Sequence, residues 1–183
     1  MKQVEYIDRK SGERVVESVM GDKALRFAYE TLLGRTLWPV LFGSKAVSAW
    51  MGRRYDAPRS KKDIAALAAI PGCRAEEAEK PLADYASFND FFTRRLKPGS
   101  RPVGEGLVSP ADGRLLLYLD ADADTPFPLK GATRTLRTVF DGAAPAGRYD
   151  VAVIRLAPVD YHRFHFPCAC TTAAPVRVVP GLY

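Results

Sequence analysis

Two histidines are the only ones in this 183-residue chain, and both fall in the stretch Asp160-Tyr161-His162-Arg163-Phe164-His165. Two imidazoles three residues apart at the exit of a strand-like run could be general acid and base, metal ligands, or polar residues of a turn. The other candidate is Asp112, in Ser109-Pro110-Ala111-Asp112-Gly113. An aspartate so placed commonly caps its own turn. Alternatively, its carboxylate could orient and stabilise a protonated histidine, as in a nucleophile-activating triad. Cys168 and Cys170 lie close to the histidines. Their Cys-x-Cys spacing is not the usual zinc pairing, so no metal is expected.

The elements that must position these groups change character along the chain. Val4 to Ile7 and Arg14 to Val19, separated by a turn with Gly12, read as a hairpin. Leu25, Ala28, Tyr29, Leu32 and Leu33 recur at helical spacing up to Gly34, and Thr36 to Met51 reads as a second helix broken near Pro39 or Gly43. Ser60-Lys61-Lys62-Asp63 has the form of a capping box opening a helix through Ala69. Ser87 opens another, with Phe88, Phe91, Phe92 and Leu96 on one face and Arg94 and Arg95 beside it. After Pro98-Gly99 come β-type runs at Leu107-Val108, Arg114 to Leu119, Val151 to Leu156 and Val176 to Val179. Helices first and strands later indicate α+β: an N-terminal hairpin and helical region, 1–86, and a mainly antiparallel β region, 87–183.

Apolar residues make up 47% of the chain, enough for a core, and the formal net charge is +6. No aromatic RNA-binding signature, zinc-finger spacing or basic heptad accompanies the charge, so nucleic acid is not an expected partner. The charge could suit an anionic membrane surface or nothing specific. Trp38, Phe42, Trp50 and Tyr55 interleave with Arg53, Arg54, Lys61 and Lys62. Each cation at an anionic surface contributes about 1 kcal/mol. The alternative is that these aromatics pack on the helix of Tyr29 and Leu33. Three cysteines suggest no disulfide framework and a reducing compartment. The first residues lack a signal peptide's apolar core, and no run reaches the roughly 18 apolar residues of a spanning helix.

Taken together, the motifs resemble those of the phosphatidylserine decarboxylase proenzymes, of the longer bacterial type. The matching strings are Phe91-Phe92-Thr93-Arg94-Arg95-Leu96, Arg101-Pro102, Ser109 to Gly113, Lys130-Gly131, and Leu156-Ala157-Pro158-Val159-Asp160-Tyr161-His162-Arg163-Phe164-His165. The resemblance covers nearly the whole chain. It implies a serine, in a Leu-Gly-Ser-Thr motif, that attacks the preceding carbonyl, splits the chain and becomes a pyruvoyl cofactor. That group's ketone then condenses with the amine of phosphatidylserine and accepts the electrons released with carbon dioxide. By the same resemblance His165 is the base that takes the serine's proton, Asp112 orients it, and His162 assists decarboxylation. A turn-stabilising hydrogen bond is the competing reading for His162. The implied setting is the cytoplasmic face of the bacterial inner membrane, with an α subunit carrying the pyruvoyl group.

Leu-Gly-Ser-Thr does not occur in these residues. The nearest string, Leu33-Gly34-Arg35-Thr36, has arginine in the serine's place. The expectation is therefore a truncated chain that forms no pyruvoyl group by itself, and whose β domain keeps an open edge and an uncovered apolar face. A non-catalytic, lipid-binding remnant of the family is the alternative.

Overall fold

Asp8 makes the first turn: its carboxylate accepts the backbone N–H groups of Lys10 and Ser11, and Gly12 takes φ 73°. This turn pairs β1 (Glu5–Ile7) with β2 (Arg14–Val16) antiparallel, Tyr6 opposite Val15, so the expected hairpin is present. The structure is a computed structural model that describes residues 5–17, 27, 30–32, 34, 36, 44–129, 132–144 and 146–171. Most of the helix expected before Gly34, the first half of the one expected from Thr36, Lys130-Gly131 and the strand expected at Val176 lie outside the described residues.

Helix α1 spans Lys45–Asp56 and buries none of its residues. A 3-10 turn, Pro58–Asp63, leads into the short helix α2, Ile64–Ala68. The expected capping box at Ser60 is not what forms. Ser60 sits inside the 3-10 turn, 3% exposed, and donates to the carbonyls of Tyr55 and Ala57 at 2.8 and 2.7 Å. The same oxygen accepts the N–H of Phe88 at 2.9 Å. A local cap motif thus serves a contact between distant segments. The cap at Ser87 does form: its hydroxyl accepts from Asp90 N–H and opens α3, Phe88–Phe92. That helix ends sooner than its apolar spacing suggests. Leu96 lies beyond it, in an antiparallel bridge to Ala78.

The largest core collects Ile64, Leu67, Cys73, Ala78, Tyr85, Phe88 and Phe91 together with Ala157 and Val159. Tyr85 meets Phe91 edge-on at 5.2 Å, and Tyr55 packs against Phe88 at 4.9 Å. Core residues therefore come from both sides of the expected division near residue 86.

Strand β3 (Arg114–Ala121) pairs antiparallel with the last described strand, Tyr149–Arg155, with an irregularity between Tyr118 and Ala121 where Asp120 takes φ 51°. Between them lie the small hairpin β4 (Phe127–Leu129) and β5 (Ala132–Arg134) and a one-turn helix α4, Leu136–Val139. The final strand, β6, is the Tyr149–Arg155 segment. Helix with small antiparallel sheets makes the chain α+β. Leu115, Leu116, Leu117 and Leu119 of β3 are exposed.

Ser60→Ala leaves the buried Phe88 N–H without its acceptor and removes the one hydroxyl proton shared by the Tyr55 and Ala57 carbonyls, of which Ala57 keeps the Ser60 N–H, and should cost about 1–3 kcal/mol in urea unfolding. Lys62→Ala, on the exposed side of the same turn, should change stability far less. Equal effects would contradict the role given to Ser60.

Candidate functional site

The turn that carries Asp112 is shaped by how closely β3 approaches β6. Gly113 has φ 147°, and a Cβ there would lie 2.8 Å from the Arg155 carbonyl oxygen and 2.9 Å from the Ile154 side chain. Only glycine fits, which explains the residue after Asp112. Ser109 closes the turn from the other side by donating to the Ala111 carbonyl at 2.7 Å.

Asp112 itself is gripped by Arg101. The Arg101 Nε lies 2.9 Å from Oδ1, and Nη2 lies 2.7 Å from Oδ2. Arg101 Nη1 reaches Glu77 at 2.7 Å, so one guanidinium bridges two carboxylates. Burial pushes the Asp112 carboxyl up. The hydrogen bonds and charge of Arg101, with Arg74 nearby and the Tyr161 amide, outweigh it and hold the group below the usual carboxylate range.

The histidine loop is tied down at both ends. At its start, Ala157 and Val159 enter the core, while Asp160 accepts the Ala157 N–H at 2.6 Å. Arg114 Nη1 meets both Asp160 oxygens at 2.8 and 2.6 Å, and its guanidinium stands over the Tyr6 ring at 4.5 Å. At the other end, His165 N–H donates to the Pro110 carbonyl and Val108 N–H donates to the Pro167 carbonyl, at 2.9 and 2.8 Å. These two bonds lay the His165 backbone beside the Ser109–Asp112 turn.

The side chains of the three candidates are nevertheless differently engaged. His165 is exposed, and its Nδ1 lies 2.7 Å from the Phe166 carbonyl oxygen, a contact that requires the proton on Nδ1. Its Nε2 is left as the lone-pair nitrogen. The expected Asp112–His165 hydrogen bond is not formed: Asp112 is held by Arg101, His165 by its neighbouring carbonyl. His162 is half-buried, stacks on Phe92 at 3.9 Å, and gives its Nε2 proton to the Ala157 carbonyl at 3.0 Å. Burial lowers its pKa, opposed by that hydrogen bond, so the neutral ring is favoured. The turn-stabilising contact weighed for His162 is present.

Sequence reasoning left several residues of this site without a role. Arg101, Glu77, Arg114 and Asp160 carry the charge network, and Arg94, read as lying beside a helical face, is in fact 3% exposed. Arg101 and Arg94 both sit in the matching strings, which was the available signal. Among the described residues, no group of three or more His, Cys, Asp or Glu is placed to hold a metal; Cys168 and Cys170 are exposed free thiols.

Of the expected membrane-contact residues, Trp38 lies outside the described residues. Trp50 is 56% exposed on α1, with Arg53 and Arg54 exposed one turn on. Lys61 and Lys62 are exposed as well, Lys61 donating to the Ala83 carbonyl at 3.0 Å. Tyr55 instead joins the core through Phe88. No helix among the described residues is long and apolar enough to cross a membrane.

Since folding lowers the Asp112 pKa, the ionised pair contributes stability above the ordinary value of 3.8 and loses it as pH falls through the lowered value. Arg101→Gln should raise the Asp112 titration in carboxyl NMR and flatten the acid limb of stability against pH. An Asp112 titration that does not move would exclude Arg101 as its holder.

Comparison with known proteins places these features in one family. The family model described as phosphatidylserine decarboxylase matches residues 88–183, just over half of the chain. The phosphatidylserine decarboxylase proenzyme of Fusobacterium nucleatum is 40% identical over 172 residues, covering 91% of this chain and 57% of the relative. Its counterpart in Desulfitobacterium hafniense is 36% identical over 169 residues, 89% of this chain and 57% of the relative. That of Chlamydia felis is 34% identical over 187 residues, 99% and 62% respectively. The chain thus spans about three fifths of the length of these curated relatives. With its matching segment beginning at Phe88 and containing Asp112, His162 and His165, the chain belongs to the phosphatidylserine decarboxylase family.

Proposed function

We propose that these residues form the acid–base part of an enzyme that converts phosphatidylserine to phosphatidylethanolamine and carbon dioxide. The observation that carries the reading is the pair of backbone bonds laying His165 beside the Asp112 turn. Family membership supplies the reaction; this pairing supplies a geometry compatible with it.

The pyruvoyl group that such chemistry uses would have to come from a serine outside these 183 residues, since they contain no Leu-Gly-Ser-Thr. What is present suits it: His165 is exposed, and with its proton on Nδ1 the Nε2 lone pair faces no partner among the described residues. A pyruvoyl group supplies a conjugated ketone that accepts the electrons released when carbon dioxide leaves. His165 Nε2 would take the proton of the approaching serine hydroxyl. The Nδ1–H, now donated to the Phe166 carbonyl, would be donated to Asp112 instead once the exposed ring turns, the proton staying on Nδ1 and the tautomer unchanged. Each carboxylate oxygen has lone pairs beyond those Arg101 occupies, so Asp112 can accept while still held. His162 has less to recommend it as a proton donor, because burial favours its neutral form and its one ring proton is already given away. We assign it to decarboxylation only as the ring that fixes the loop against Phe92.

The 183-residue chain alone should release no carbon dioxide from phosphatidylserine. Continued with the C-terminal portion of the Fusobacterium nucleatum relative, it should cleave itself, read as two bands on a denaturing gel, and His165→Ala should abolish the cleavage. Undiminished cleavage in that variant would remove His165 from the relay.

The same reading places the protein at the surface of the bacterial inner membrane, on the cytoplasmic side, with an α subunit as partner and phosphatidylserine as substrate. Exposed Trp50 beside Arg53 and Arg54, on a helix that buries nothing, is the support for contact with lipid. Replacing Arg53, Arg54, Lys61 and Lys62 together by glutamine should weaken binding to vesicles containing anionic lipid by well over tenfold, at about 1 kcal/mol per cation. Unchanged vesicle binding would withdraw the membrane assignment.

A further inference from the structure

Arg94 is a buried cation with no counter-ion among the described residues. It is 3% exposed, and only its Nη2 is engaged, donating to the Cys73 carbonyl at 2.8 Å and more distantly to the Val159 carbonyl at 3.4 Å. Its Nε and Nη1 have no hydrogen-bond partner, and it pairs with no carboxylate among the described residues. The Phe91 ring, 4.9 Å from the guanidinium carbon, offers a weak cation–π contact. An isolated buried charge costs several kcal/mol unless paired, and native structures rarely leave one so.

Arg94 also forms part of the wall of a cleft of about 330 Å³, together with Tyr85, Thr93, Lys80, Arg95 and Arg163. Tyr85 is 2% exposed, and its hydroxyl, with the Lys80 backbone beside it, finds no acceptor among the described residues. Burial pushes its phenol up, so it stays a donor at neutral pH. Arg95, Lys80 and Arg163 are exposed at the wall; Arg163 Nε donates to the Thr93 carbonyl at 2.9 Å. Two carboxylates, Glu79 and Asp90, share the wall. Asp90 is already committed to the Ala86 N–H at 2.9 Å. Four cations against two carboxylates leave the cleft positive, with unused donors at its buried side.

We propose that this cleft is a binding site for a phosphate-ester oxyanion, with Arg94 as its buried anchor and Arg95 and Arg163 at its mouth. Acceptor oxygens are what the unpartnered Arg94 nitrogens and the Tyr85 hydroxyl lack, and several cations converging on one space suit a phosphate better than a single carboxylate. Arg163 lies between His162 and His165 in the chain, so an anion held here is held next to the histidine loop. Lipid headgroup and free phosphate share this chemistry. The assignment as an oxyanion site stands apart from the decarboxylase reading; only the headgroup source rests on it.

The test is titration of the purified 183-residue chain with inorganic phosphate and, separately, with the water-soluble headgroup glycerophosphoserine, followed by NMR of arginine Nε–H signals and by calorimetry. Both ligands should shift the Arg94 signal, and the paired change Arg95→Gln and Arg163→Gln should weaken binding about tenfold or more, as expected for loss of charged hydrogen bonds. Those two side chains are exposed, so the fold should survive their loss. Arg94→Met, checked for folding by its melt, should abolish binding. Tighter binding of glycerophosphoserine than of phosphate assigns the headgroup; equal binding assigns a site for phosphate itself. No saturable binding of either, or binding indifferent to Arg95 and Arg163, overturns the proposal. Neither result depends on decarboxylation.

Discussion

The turn from Ala157 to Asp160 is the constraint on which the arrangement of the site depends. It brings the residues leaving β6 into the helical core: Ala157 is 1% and Val159 6% exposed, both in the cluster with Leu67 and Phe91. Around this plug the polar backbone must be satisfied, because an unpaired buried carbonyl or amide is costly. Asp160 takes the Ala157 N–H, His162 gives its proton to the Ala157 carbonyl, and Arg94 reaches toward the Val159 carbonyl. Every one of these partners is a residue of the matching strings. Read physically, that string is first a device for seating a loop and only then a source of imidazoles.

From that anchor the placement of His165 follows with few free choices. The loop runs from a fixed plug to two backbone bonds with the Val108–Pro110 segment, and the segment's own direction is set by Gly113 lying against Arg155. A larger residue at 113 would push β3 off β6 and carry Asp112 with it. The two parts of the candidate relay are thus positioned by the same strand pair. Of the two side chains, Asp112 is held by Arg101 while the His165 ring is exposed.

Much of this was legible in the sequence where the signal is local. The Gly12 hairpin, the Ser87 cap and the β3 and β6 runs depend on neighbours within a few residues, and they form as their residue types dictate. Ser60 was misread because its decisive partner, the Phe88 amide, lies 28 residues away. A hydroxyl followed by an acidic residue three positions on looks like a cap whether or not a distant amide claims it. Arg94 was read only as lying beside a helical face, and nothing local announces that it meets the carbonyls of Cys73 and Val159, 21 and 65 residues away. Leu96 continued the apolar spacing of α3, yet its bridge to Ala78 ended the helix first. Pattern identifies which residues matter here better than it identifies what they touch.

The grip of Arg101 on Asp112 bears directly on whether the aspartate can support a histidine cation. If Arg101 simply neutralised Asp112, little field would remain to favour an imidazolium nearby. Glu77 changes the balance, since the same guanidinium serves both carboxylates at 2.7 Å. All three side chains are about three-quarters or more buried, at 27, 23 and 20% exposure for Arg101, Glu77 and Asp112. Arg74 adds a cation 3.6 Å from Glu77, but it is 46% exposed and its charge is screened by water. One guanidinium between two carboxylates leaves the shielded cluster with a net negative charge. An imidazolium brought beside it would still meet a net negative cluster, with Asp112 kept ionised and in place by Arg101. In the relay proposed above, Arg101 would act through Asp112 as a positioning residue, and Glu77 would keep that positioning from cancelling the charge it positions.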